Sequence, residues 1–270
     1  MNHALHSHAL PWCAVAASRD VPALMVMPVM LADLPLAIWR SDDGHIHAWY
    51  DRCPHRGMRL SLGAVAPRGL VCPYHGWRFG NDAQCNFIPA HPASVPPASA
   101  KAQSYPVVER HGFIWVAKQD TPAEPPPLPH ELEPIRSMHM PVDGMRLAEA
   151  WLRSCLHTAG RLSVAEYEPV QAGGSVRRHG WRLPEGSFEA TAESNGAVLH
   201  GRWREGGSGV DYVGLVQPVS RGTSMLHLAG VGPLSADAKR GLNQALVVLR
   251  HGLAEQRGHR IDWRTAHECA

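Results

Sequence analysis

Two cysteines and two histidines stand in paired order within residues 51–80, DRCPHRGMRLSLGAVAPRGLVCPYHGWRFG. Cys53 is followed by His55, and Cys72 by His75. Thiolate sulfur and neutral imidazole nitrogen are both metal ligands. Two of each can close one tetrahedral zinc site, or hold an iron-sulfur cluster with cysteine on one iron and histidine on the other. Zinc modules of this composition usually pair cysteine with cysteine and histidine with histidine. Here each short loop supplies one of each, which suits a two-iron cluster because each loop must then reach both irons. Gly57 and Gly76 let the backbone approach bridging sulfides closely, and donated N–H groups would tune the potential.

The elements that must position these loops read as short strands. LAIWR (36–40) and HIHAWY (45–50) flank SDDG, whose Asp43-Gly44 pair suits a tight hairpin, and FIWVA (113–117) is a further strand. A small, turn-rich, all-β unit is expected over residues 1–120. The segment TPAEPPPLPHELEP (121–134) follows, whose closely spaced prolines hold the chain extended as a linker or strap. Beyond it, residues 135–270 are expected to form a second, α+β unit. MRLAEAWLRSCLH (145–157) has Leu147, Trp151 and Cys155 at helical spacing, which predicts a helix. SFEATAES (187–194), AVLHGRW (197–203), DYVGLVQPV (211–219) and SMLHLAGV (224–231) alternate as antiparallel strands. Ser235 is placed to cap a closing helix through LNQALVVLRHGLAEQ.

Composition narrows the function. With 270 residues the chain can bury the cores of two modest domains. Its formal charge of +2 is spread along the chain without a run of Lys and Arg, which argues against nucleic acid as a partner. No stretch approaches the roughly 18 apolar residues of a membrane span, and the start MNHALHSHALPW lacks the features of a signal peptide, so a soluble cytoplasmic protein is expected. In that setting Cys13, Cys85 and Cys155 read as packing residues. With 18 histidines in the chain, any one of them alone carries little weight.

With these residues in place, the sequence resembles the Rieske family, specifically the α subunits of Rieske non-haem iron oxygenases. PWCAVA (11–16) is similar to the family's opening, CPHRG and CPYHGW to its two cluster loops, and HGFIWVA (111–117) to the strand that closes the domain. The resemblance implies a 2Fe-2S cluster with Cys53 and Cys72 on the buried iron and His55 and His75 on the outer one. Respiratory relatives carry an extra cysteine in each loop; Gly57 and Tyr74 occupy those positions here, which points to the oxygenase and ferredoxin branch.

The resemblance also implies a helix-grip second domain holding a mononuclear iron through two histidines and one carboxylate. Its helix resembles Glu-Asn-x-x-Asp-x2-His-x4-His. Aligned with Glu149 as the leading acid, the Asn slot is Ala150, the bridging Asp is Arg153, and the two His are Leu156 and Arg161. Shifting the register by one makes His157 the first ligand but leaves Ser154 and Leu162 in the other slots. Arg153 and Leu156 are expected to share a helix face, and an arginine cannot act as a ligand. The third ligand's counterpart falls near Arg250 and His251.

The expectation is therefore a shortened oxygenase-like domain without its own Fe(II). The chain would be an electron-transfer subunit beside an active homologous oxygenase subunit in a trimeric or hexameric ring, supplied by an NAD(P)H-dependent reductase. Two alternatives stand beside it. One is a complete oxygenase with unfamiliar ligands drawn from His179, His200, His227, His251, Asp211 and Glu166. The other is a ferredoxin-like carrier or scaffold. The substrate is not legible.

Overall fold

The computed structural model describes residues 12–119, 123–129, 131–156, 162–164, 176–183, 186–193, 197–205 and 208–255. The chain divides into two compact units, 11–126 and 127–270.

The first unit is built of small antiparallel sheets. Strands Val26–Leu31, Leu34–Arg40, Ile46–Tyr50 and Ser104–Tyr105 are neighbours in that order, and Ala64–Ala66, Gly69–Val71, Arg78–Phe79 and Cys85–Phe87 form a second set of four. Cys13–Ala17, Phe113–Val116 and Val107–Arg110 make a three-stranded sheet. The hairpin at 41–45 closes as its sequence requires: Ser41 N–H donates to the His45 carbonyl at 3.0 Å, and Gly44 takes φ +88°. Trp39, Trp49, Leu60, Leu70 and Phe79 are fully buried around Cys53, Cys72 and Cys85. The start of the proline-rich stretch is strapped to this unit. The Trp12 indole N–H donates to the Ala123 carbonyl, and Arg110 pairs with Glu124 at 2.8 Å.

The second unit is a six-stranded antiparallel sheet in the order Leu132–Met140, Thr223–Val231, Ser208–Ser220, Val198–Glu205, Gly186–Glu193, Val176–Leu183. Two helices, α1 (Gly144–Arg153) and α2 (Ala236–Glu255), contribute to its core. Alternate strand residues, among them Leu199, Trp203, Tyr212, Val216, Leu226 and Leu228, meet Leu147 and Trp151 of α1 and Leu242, Leu246, Leu249 and Leu253 of α2. Each buried leucine contributes about 1.5–3 kcal/mol. Asp143 caps α1 by accepting the Arg146 N–H at 3.0 Å, and the Ser235 hydroxyl accepts the Ala238 N–H at the start of α2 at 3.1 Å. The α+β class expected from the sequence is the class observed. Among the described residues no helix is long and apolar enough to cross a membrane.

Two elements depart from expectation. Leu132–Met140 begins inside the 121–134 stretch expected as a linker and pairs with Thr223–Val231. The helix predicted over 145–157 ends at Arg153, and Ser154–Leu156 is a strand paired antiparallel with Leu162–Val164. The Ser154 hydroxyl donates back to the Ala150 carbonyl at 2.8 Å, a bond that competes with continued helix. Arg153 and Leu156 therefore do not share a helix face.

Candidate functional site

The two loops are built alike. Cys53 N–H donates to the Met58 carbonyl at 2.7 Å, and Gly57 N–H donates back to the Cys53 carbonyl at 2.9 Å. In the second loop Cys72 N–H donates to the Trp77 carbonyl at 2.8 Å, and Gly76 N–H to the Cys72 carbonyl at 3.1 Å. Both closures need a left-handed residue four positions after the cysteine, and both find glycine there, at φ +71° and +68°. A proline follows each cysteine. The loops differ in where the histidine falls.

Their side chains form two pairs. Cys53 and Cys72 are 3% and 2% exposed, with their thiols in mutual hydrogen-bonding reach. His55 and His75 are exposed at the surface, with ring centroids 4.7 Å apart. Burial pushes the Cys53 thiol up to about 11, opposed by hydrogen bonds from the backbone N–H groups of His55 and Arg56. A buried thiol with amide donors aimed at it ionises when a cation replaces its proton, so this donor set fits an iron-bound thiolate. His55 is shifted down by desolvation and then by neighbouring His75 and Arg56, which favours the neutral, ligating imidazole.

Among the described residues, no three His, Cys, Asp or Glu side chains converge on a point suited to a single metal ion. The four residues instead offer a buried sulfur pair and an exposed nitrogen pair, one for each iron of a two-iron cluster.

Three neighbours complete the site, none of which the sequence marked for the role it takes here. The Trp77 indole stacks on His55, and the Tyr74 ring stacks on His75 at 3.8 Å between centroids. Asp51 lies buried beneath the first loop. Its signal in the sequence is that it is the only acid between positions 51 and 80.

Cys13, Cys85 and Cys155 are buried, and burial pushes the Cys13 thiol up to about 12. Inert packing residues have this character.

In the second unit, Glu149 is exposed on α1, Ala150 is buried, and Arg153 is half-buried at the helix end. Ser154 and Leu156 are buried. The Leu156 N–H donates to the Tyr212 hydroxyl oxygen at 3.1 Å. His227 is buried with Nδ1 at 2.8 Å from the Ser137 hydroxyl and Nε2 at 2.9 Å from Gln217 Oε1. Asp211 pairs with Arg202 and Arg204, His251 is exposed on α2, and burial lowers the pKa of His200. Arg250 donates to the His139 carbonyl at 3.0 Å. His157, Arg161, Glu166 and the side chain of His179 lie outside the described residues.

Comparison with known proteins agrees with the loop geometry. Residues 11–106 match the Rieske [2Fe-2S] domain. The oxidoreductase NdmD of Pseudomonas putida is 44% identical over 115 residues, 42% of this chain and 20% of that protein. The oxygenase component of dicamba O-demethylase from Stenotrophomonas maltophilia is 44% identical over 86 residues, 32% of this chain and 25% of that protein. These matches span a quarter or less of the relatives' own length.

Solved structures share the fold over nearly the whole chain. The NdmA QL mutant of P. putida CBB5 with caffeine superposes with a TM-score of 0.68 at 21% identity, covering 94% of this chain and 83% of that one. Dicamba monooxygenase superposes with a TM-score of 0.65 at 18% identity, covering 96% and 92%. Paired Cys–His loops and the antiparallel scaffold around them, together with the match over residues 11–106, identify a Rieske [2Fe-2S] domain in the N-terminal half of the chain, whose fold as a whole is shared with NdmA and dicamba monooxygenase.

Proposed function

We propose that the chain is a Rieske electron-transfer subunit of an oxygenase that hydroxylates or demethylates an organic substrate, serving an iron centre on an active homologous subunit. In this reading Cys53 and Cys72 hold the buried iron and His55 and His75 the outer one. A 2Fe-2S cluster held there supplies one-electron redox chemistry. The four side chains bind, Trp77 and Tyr74 orient the imidazoles, and the exposed ring edges are available to hydrogen-bond a carboxylate on the partner. The proline-rich stretch leads from the cluster domain to the oxygenase-like domain, whose sheet begins with Leu132–Met140. The electron donor is an NAD(P)H-dependent reductase, the assembly a trimeric or hexameric ring, and the compartment the cytoplasm.

The observation that carries the reading is the environment of Leu156, the residue aligned with the family's first iron-binding histidine. It is 1% exposed, packed in the apolar core and held by its backbone to Tyr212. An apolar side chain in that setting offers a cation neither a ligand nor hydration. Fold likeness over more than nine-tenths of the chain favours a second reading, a complete oxygenase with iron ligands different from the family's.

Iron and acid-labile sulfide counted per chain after anaerobic purification separate the two. Two iron per two sulfide is expected, and three iron per two sulfide overturns the electron-transfer reading. Purification from the native host should bring down an oxygenase homologue in the same particle; its absence removes the partnership.

A further inference from the structure

We infer that Asp51 is the positioning residue of the first cluster loop, and that its ion pair with Arg59 sets the potential of the cluster that the loop helps to hold. The inference rests on the cluster assignment above. Asp51 is 1% exposed. Its Oδ1 accepts the Ser61 backbone N–H at 2.7 Å, and its Oδ2 accepts the Ser61 hydroxyl at 2.7 Å and the Arg59 Nε–H at 2.9 Å. One carboxylate therefore joins the residue where the loop leaves its strand to the residues where it returns, and everything between, including Cys53 and His55, is carried on that closure. The backbone N–H of Asp51 donates to the Pro35 carbonyl at 3.0 Å, which anchors the closure to a strand of the domain core.

The same closure reaches the second loop. Ser61 lies within the turn Leu60–Leu62, which ends at Gly63. A Cβ on Gly63 would stand 2.2 Å from the Val71 carbonyl oxygen, so only glycine permits this approach. Val71 immediately precedes Cys72. Asp51, Ser61, Gly63, Val71 and Cys72 thus form a continuous path that relates the spacing of the two loops to one buried carboxylate.

A buried carboxylate persists because its oxygens are hydrogen-bonded and a cation faces it. The Asp51 side chain is 1% exposed whereas that of Arg59 is 54% exposed, so solvent screens the carboxylate's charge less than that of the cation that partly offsets it. Reduction adds one negative charge to the cluster. Removing the Asp51 anion should make reduction easier, and removing the Arg59 cation should make it harder.

The test uses the purified full-length chain with its cluster, comparing Asp51→Asn, Arg59→Gln and Ser61→Ala with the parent. Measured are iron and sulfide per chain, the midpoint potential by redox titration, the electron paramagnetic resonance g-values of the reduced cluster, and amide exchange over residues 52–60. Asp51→Asn is expected to lower cluster occupancy several-fold and raise the potential of the clusters that remain, with altered g-values. Arg59→Gln is expected to lower the potential. Ser61→Ala is expected to speed amide exchange in the loop several-fold. If Asp51→Asn holds no cluster, the other two variants decide the question. Parental potentials and g-values in every loaded variant, shifts of the same sign in the two charge variants, or unchanged exchange in Ser61→Ala would overturn the inference. A parent protein without iron and sulfide would instead overturn the cluster assignment itself.

Discussion

The imidazole of His55 lies flat against the indole of Trp77, with ring centroids 4.4 Å apart and planes 4° from parallel. The contact crosses between the loops, so a residue of the second loop sets the orientation of an imidazole from the first, one that holds the outer iron under the proposed function. Aromatic stacking of this kind contributes about 0.5–1.5 kcal/mol beyond burial. Trp77→Leu is expected to speed cluster loss to an iron chelator several-fold, while Trp77→Phe retains most of the protection. Bleaching of the visible absorption gives both rates, and equal rates for the parent and Trp77→Leu would remove the indole from the site.

Gly57 and Gly76 hold matching left-handed turns, but their surroundings differ. A Cβ at Gly57 would approach only the mobile end of Arg52 at 3.7 Å, whereas one at Gly76 would meet Pro89 Cγ at 2.9 Å. Alanine costs about 1–2 kcal/mol from the backbone alone at either position. Gly76→Ala should therefore lower cluster occupancy more than Gly57→Ala, as read from iron per chain. The reverse order would contradict the described packing.

Tyr212 should matter to the second unit's stability. Its hydroxyl oxygen accepts the Leu156 N–H in a fully buried setting, and Trp151 meets its ring edge-on at 5.5 Å. Burial, with a smaller contribution from Cys155, holds its phenol well above the ordinary range, so it stays protonated. Tyr212→Phe keeps the ring and strands the amide, a loss of about 1–3 kcal/mol. Urea unfolding measures it, and a midpoint equal to the parent's would show that the amide finds another acceptor.

His47 predicts a pH dependence. Burial lowers its pKa from 6.5 to about 4, with Asp43 opposing and His45 reinforcing, and the ring stacks on Trp39 at 4.2 Å. The unfolded chain takes up this proton first, so stability is fully present above pH 6.5 and declines as pH falls toward 4. Because the ring is only partly buried, the effect is about 1 kcal/mol after allowance for solvent screening. Replacing His47 with Gln should flatten that part of the stability profile. An equal slope in parent and variant would assign the acid sensitivity elsewhere.

Much of the cluster site is legible in the linear chain. Ligand type, ligand spacing and the glycine four residues after each cysteine are local properties, and a left-handed turn can be read from the residue that permits it. The 41–45 hairpin and the strand alternation of the second unit are local in the same sense. The end of α1 is not, because Leu147, Trp151 and Cys155 satisfy helical spacing whether or not the last of them is helical. Residues 154–156 become a strand by pairing with 162–164 and by handing the Leu156 amide to Tyr212, distant in sequence. The seat of Trp77 on His55 and the reach of Asp51 to Ser61 likewise depend on which segments the core brings together. Chain chemistry determined what could bind metal, whereas long-range packing decided which thiols are buried, which imidazoles face outward and what holds them there. Burial and strand pairing are properties of neighbours in space, and those neighbours exist only after the chain has closed.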